Sequence, residues 1–190
     1  MTDFGFYLAL GWEHIMTPGA LDHILFIIVL TAIYLPKDWK QVLVLVTAFT
    51  IGHSLTLALS TLNLVELPAK WVEFVIPCTI VITAVSNLFR KSTSTVAARQ
   101  QYGMALLFGL VHGLGFANTL RFILAADQKL GWALLGFNLG LELGQIVIVG
   151  VALFLSYVFI HRLRIQRREW VLFISAGVFS LALEMAVTRI

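Results

Sequence analysis

Lys40-Gln-Val-Leu-Val-Leu-Val-Thr-Ala-Phe49-Thr50-Ile51-Gly52-His53-Ser54-Leu55-Thr56-Leu-Ala-Leu-Ser-Thr-Leu62 is the stretch that decides the fold. No Asp, Glu, Lys or Arg interrupts it between Lys40 and Glu66. A bilayer crossing needs roughly 20 mostly apolar residues, and this run supplies them with a histidine near its middle. Working outward, four more stretches meet the same length criterion: about 71–89, 101–125, 131–160 and 170–188. Gly19–Leu35 is shorter, about 17 residues, but carries the apolar run Ile24–Leu30. Residues 3–16 are too short to cross alone, so the sequence predicts a surface or re-entrant helix there, before the Thr17-Pro18-Gly19 break.

Composition agrees. Hydrophobic residues make up 59% and charged residues 12%, where a soluble domain is about half apolar and a quarter charged. One water-soluble core could not hide so much apolar surface, so lipid is the solvent that fits. The expected architecture is all-α: a polytopic transmembrane bundle of about six spans plus the short N-terminal helix, in a single membrane domain over 1–190. Phe4–Leu10 lacks the basic flank of a cleavable signal peptide. Cys78 is the only cysteine, so no intrachain disulfide forms.

The charges order the spans. Nine of thirteen Lys and Arg fall in three connections: Lys37 and Lys40; Arg90, Lys91 and Arg99; Arg162, Arg164, Arg167 and Arg168. These follow spans one, three and five and so lie on one side, which the positive-inside bias makes cytoplasmic, with both termini outside. Asp3, Glu13, Asp22, Glu66, Glu73, Asp127 and Glu184 map to the opposite face, where they draw cations. The basic excess is thereby a topology signal that calls for no nucleic acid. No nucleotide-binding motif is present, and the glycines around His112 lack the strand–turn–helix setting of a phosphate loop.

Ionisable groups inside a span are costly and usually face a bundle interior or a pathway. Four of the five histidines are in or beside spans: His14, His23, His53 and His112. The Pro18-Gly19 turn lets His14 approach Asp22-His23 at the outer mouth of span one; a polar turn with capping roles is the plainer reading of that segment alone. His53 lies about 13 residues from the inner end of its span and His112 about 11, which places both near mid-membrane at 1.5 Å per residue. Thr50 and Ser54 line the His53 side, and Asn118 follows His112. Asn138, Glu142 and Gln145 form one helical stripe, with Glu142 expected level with His53 and His112. A carboxylate at that depth without Lys or Arg needs a proton, a metal ion or a histidinium. The resulting candidate ligands are His14, Asp22, His23, His53, His112 and Glu142, supported by Thr50, Ser54, Asn118, Asn138 and Gln145. Imidazole with carboxylate suits a borderline divalent metal.

These motifs, in this order, resemble the HupE/UreJ proteins (hydrogenase and urease accessory membrane proteins), particularly their second branch. The resemblance rests on His14-Ile with Gly19, Asp22-His23-Ile-Leu-Phe, Phe49-Thr50 with His53-Ser54 and Val72-Glu73. It continues through Phe108-Gly109-Leu110, His112-Gly-Leu-Gly-Phe-Ala117, Gly136-Phe137-Asn138 and Glu142-Leu-Gly144-Gln145. Ser86 stands where the family pattern has an acid before the asparagine. The resemblance implies nickel or cobalt uptake as cargo, a bacterial inner-membrane location, and metalloenzyme maturation partners or a homo-oligomer. The expected function is a secondary permease for a divalent transition metal rather than an enzyme. Two alternatives stay open: an intramembrane hydrolase holding zinc on the same cluster with Glu142 as base, and a metal-binding accessory or sensor subunit without transport.

Overall fold

The computed structural model describes residues 3–89, 95–124 and 130–190, with side chains left undescribed at 3, 95–100 and 117–124. Among the described residues there is no strand. The helices are α1 (Asp3–Met16), α2 (Leu21–Thr31), α3 (Trp39–Thr61), α4 (Ala69–Phe89), α5 (Thr95–Leu124), α6 (Leu130–Tyr157) and α7 (Arg167–Thr188). Their apolar exteriors mark the molecule as an integral membrane protein. Pro36–Thr61, Ala69–Phe89, Leu130–Arg162 and Arg167–Thr188 are each long and apolar enough to cross a membrane. Val44, Ile51, Leu55, Ile82, Val151 and Phe154 are exposed on these faces, which only lipid satisfies. Trp39, Trp71 and Trp132 are exposed in the first turns of α3, α4 and α6, the depth at which tryptophan anchors a membrane helix.

The short helix that the sequence predicts before the Thr17-Pro18-Gly19 break is α1. Pro18 has no N–H to donate and clashes with a helical residue before it, so Thr17 is extended (φ −83°, ψ 153°) and α1 stops. After a 3₁₀ turn the helix resumes, bent by 63°. Along α6, α1 meets Gly136 through Phe4, Gly140 through Leu8 and Gly144 through Ile15, and Tyr34 beyond α2 then meets Ser156. Both halves thus descend in the sense of α6. Together they are long and apolar enough for one broken span or a re-entrant pair. Tyr7 and Ile15 are buried against the bundle while Phe6 and Met16 are exposed, so one face of α1 joins the core.

Two close helix pairs organise the rest. Along α3 and α5, which run in the same sense, a Cβ on Gly52 would strike the Leu106 carbonyl and one on Gly109 the Phe49 carbonyl. Along α1 and α6, a Cβ on Gly11 would strike Phe137 and one on Gly140 would strike Leu8, both at the backbone. Small residues let membrane helices approach until backbones touch, and both contacts border histidine-bearing turns. α2, α4 and α7 close the remaining side. Asn87 donates to the Val29 carbonyl at 2.8 Å, and the Arg167 guanidinium caps the chain after α2 at Ile33. Those carbonyls would otherwise be orphaned in a medium without water.

Candidate metal centre

Four elements deliver four imidazoles to one place. His14 ends α1, His23 sits in the first turn of α2, His53 is on α3 and His112 on α5. The break at Pro18 turns His14 back toward His23, with ring centroids 5.0 Å apart. His53 lies 6.3 Å from His14 and 6.0 Å from His23, and His112 lies 5.0 Å from His23. One ligand nitrogen from each of His14, His23 and His53 falls within 4.8 Å of the other two. His53 and His112 are shut off from solvent, at 0% and 1% exposure. Phe49, Phe116 and Phe137 wall the cluster: Phe49 at 5.2 Å from His112, Phe116 at 4.1 Å from His14, Phe137 at 6.3 Å from His53.

The hydrogen bonds aim the rings. His23 Nδ1 is 2.8 Å from Asp22 Oδ1, and the His23 backbone N–H donates to the same oxygen at 2.8 Å. A carboxylate only accepts, so Nδ1 carries a proton, and in that tautomer it is Nε2 that has a lone pair to offer. His112 Nδ1 likewise donates to the Phe108 carbonyl at 2.8 Å. The Nε2 atoms of His14, His23 and His112, and both nitrogens of His53, are buried without a partner. Leaving a buried polar atom unpaired costs about 1–3 kcal/mol, and five in one chamber is an arrangement that a ligand would relieve. Lone pairs on imidazoles held by outer-sphere acceptors are how proteins present histidine to a borderline metal. The HupE / UreJ protein family model matches residues 1–189.

This chain belongs to the HupE/UreJ family.

No curated protein and no solved structure matches it. Membership makes it a membrane protein of a family related to nickel and cobalt handling, in accessory or transport-related roles.

The remaining polar residues that the sequence nominates in this HupE/UreJ protein distribute unevenly around the cluster. Asp22 is present, with Oδ1 turned to His23 and Oδ2 3.5 Å from Arg189 Nη1; it orients the His23 ring and meets Arg189 at once. Asn138 anchors through its amide to the Leu134 carbonyl at 2.8 Å, and its unpaired Oδ1 lies beside His53. Thr50 donates to Gln145 Oε1 at 2.7 Å, which leaves Gln145 Nε2 buried and unpaired. Ser54 donates to the Thr50 carbonyl at 2.6 Å and stays within its own helix. Glu142 accepts from Thr47 at 2.8 Å on an exposed seam of α3 and α6, and it is not brought together with the histidines. Asn118 lies outside the described side chains. Sequence reasoning missed the aromatic walls and the Arg189 contact; a proline within the α4 span was the one available signal for the latter.

The Asp22–His23 pair yields a direct expectation. Asp22→Asn keeps the shape but can hold His23 Nδ1 in either tautomer, so divalent-metal affinity should fall about 10- to 100-fold, the cost of losing a carboxylate behind a ligating histidine. Calorimetric titration of the purified protein with nickel measures it.

Proposed function

We propose that the protein is a secondary permease for a divalent transition metal, nickel or cobalt, with His14, His23, His53 and His112 as its intramembrane station. The observation that carries this reading is the set of unpartnered Nε2 atoms gathered at the break of a discontinuous crossing. Broken helices near mid-membrane are where secondary transporters place substrate sites. The basic connections face the cytoplasm of a bacterial inner membrane, and metal comes from the acidic outer face past Asp22.

One nitrogen from each of His14, His23 and His53 lies within 4.8 Å of the other two, so the three can engage one ion together as it passes. Below the station, Thr50 and Gln145 continue the polar seam between α3 and α6, and Asn138 borders its rim. The chain has no nucleotide motif, so a membrane potential, proton exchange or a partner supplies the driving force. Cargo delivered to the cytoplasm would serve metalloenzyme maturation.

Reconstitution into liposomes tests this. Saturable accumulation of nickel or cobalt, lost in His23→Ala and His112→Ala, is the expected result. Tightly bound zinc without flux in wild type would overturn transport in favour of the hydrolase or accessory readings. Glu142 separates the first two of these further. A zinc hydrolase using it as general base requires it at the metal, but its carboxyl group is bonded to Thr47. Glu142→Gln should therefore change nickel affinity by less than about threefold, below the range for losing even an outer-sphere partner, as read by the same titration.

A further inference from the structure

Arg189 lies just beyond the end of α7, yet its guanidinium is bound on two other elements. Nη1 is 3.5 Å from Asp22 Oδ2 on α2 and donates at 3.3 Å to the Glu73 carbonyl on α4. The second contact has a covalent cause. In an α-helix the carbonyl of residue 73 accepts from the N–H of residue 77, and residue 77 is Pro77, inside α4. Proline has no N–H. The helix therefore offers one free carbonyl, and Arg189 occupies it. Pro77 and Asp22 together make a built receptor for a cation.

This receptor stands over the histidines. Side-chain exposure falls from 29% at Arg189 to 12% at Asp22 and 6% at His23, with His53 and His112 closed behind them. The geometry points to Arg189 as a displaceable latch: it seals the approach to the histidine chamber, and an arriving divalent cation enters by exchanging with the guanidinium at Asp22 Oδ2. Asp22 then has two successive tasks. Oδ1 stays on His23, while Oδ2 passes from arginine to the incoming ion. The exchange swaps one cation for another at a carboxylate, so the chamber mouth is never left as an unpaired buried anion, which would be costly.

The latch rests on the metal reading, and the experiment separates the two. Nickel association with purified full-length protein would be followed by stopped flow, and carbethoxylation of histidines by diethylpyrocarbonate would be followed in metal-free samples. Arg189→Gln removes the charge while leaving both His23 contacts to Asp22 Oδ1 in place. It should associate about tenfold faster, since a charge at the mouth of a cleft acts on the rate of ion capture, and its histidines should react faster with the reagent. Arg189→Lys keeps the charge and should remain within about threefold of wild type. Pro77→Ala alters no charge but returns an amide to the Glu73 carbonyl; it should move both rates in the direction of Arg189→Gln. Wild-type rates in Arg189→Gln for both readouts would overturn the latch while leaving the metal site intact. Wild type that binds no nickel would overturn cation exchange together with the proposed function, and faster carbethoxylation in Arg189→Gln would then leave Arg189 a lid alone.

Discussion

His53→Leu is expected to abolish metal binding at the cluster and, in metal-free protein, to make the fold more stable. The two effects have one cause. His53 is fully buried, neither ring nitrogen makes a full hydrogen bond and only the Asn138 amide approaches it, so in metal-free protein its burial is a net cost of the order of 1–3 kcal/mol. Leucine has comparable bulk, fills the space between Phe49 and Phe137 and removes both orphaned atoms. Apo stability should rise by about 1 kcal/mol or more, the sign expected when a functional polar group is taken out of a core. The same change deletes one of the three nitrogens grouped within 4.8 Å. Affinity should fall by more than about 100-fold, beyond the loss that follows removal of an outer-sphere partner. Denaturation of purified protein in mixed micelles, with and without nickel, reads both at once. Wild type at 100 times its dissociation constant should gain about 2.7 kcal/mol from the metal, and His53→Leu less than about 0.4 kcal/mol. A variant that is less stable when metal-free would mean that His53 has a structural partner and that the chamber is not strained.

The depth of the histidines could be read from the sequence, because distance along an apolar helix converts directly into depth. That conversion placed His53 and His112 together, and the structure brings them to the same chamber. Lateral position is a different quantity, and Glu142 shows the gap. On an ideal helix it is rotated about 40° from Asn138 and about 60° from Gln145, enough to carry it from the histidine side of α6 to the Thr47 seam. Nothing in the i, i+4, i+7 spacing distinguishes the two sides of such a stripe. The role of α1 was hidden for another reason. Fourteen residues are too few to cross alone, and a proline next to them reads as a stop. Only the register of Phe4, Leu8 and Ile15 against Gly136, Gly140 and Gly144, with Tyr34 against Ser156, sets the two halves along one course beside α6. The Arg189 latch combines three segments distant in sequence, and Pro77 marks a free carbonyl without saying what will take it.

The glycines, rather than the histidines, should be the most sensitive positions for folding. Gly109→Leu is the clearest case. Even the Cβ would overlap the Phe49 backbone, carbonyl oxygen included, and backbone cannot rotate aside as a side-chain tip can. Overpacking typically costs 1–3 kcal/mol where neighbours relax; here the loss should be about 3 kcal/mol or more, because relief requires α3 and α5 to separate. Separation also pulls apart what those helices carry, since Gly52 precedes His53 and Gly113 follows His112 while touching the His53 carbonyl. Metal binding should therefore be lost along with stability. Gly103→Leu on the same helix is the control, because a Cβ there meets nothing within 4 Å; it should fold normally, or gain up to about 1 kcal/mol from helix propensity. Equal unfolding midpoints for the two variants would show that α5 can move away from α3 freely. The ring separations in the chamber would then owe nothing to the glycine contacts, and the order of causation proposed for this bundle, from small residues to helix distance to ligand geometry, would fail at its first step.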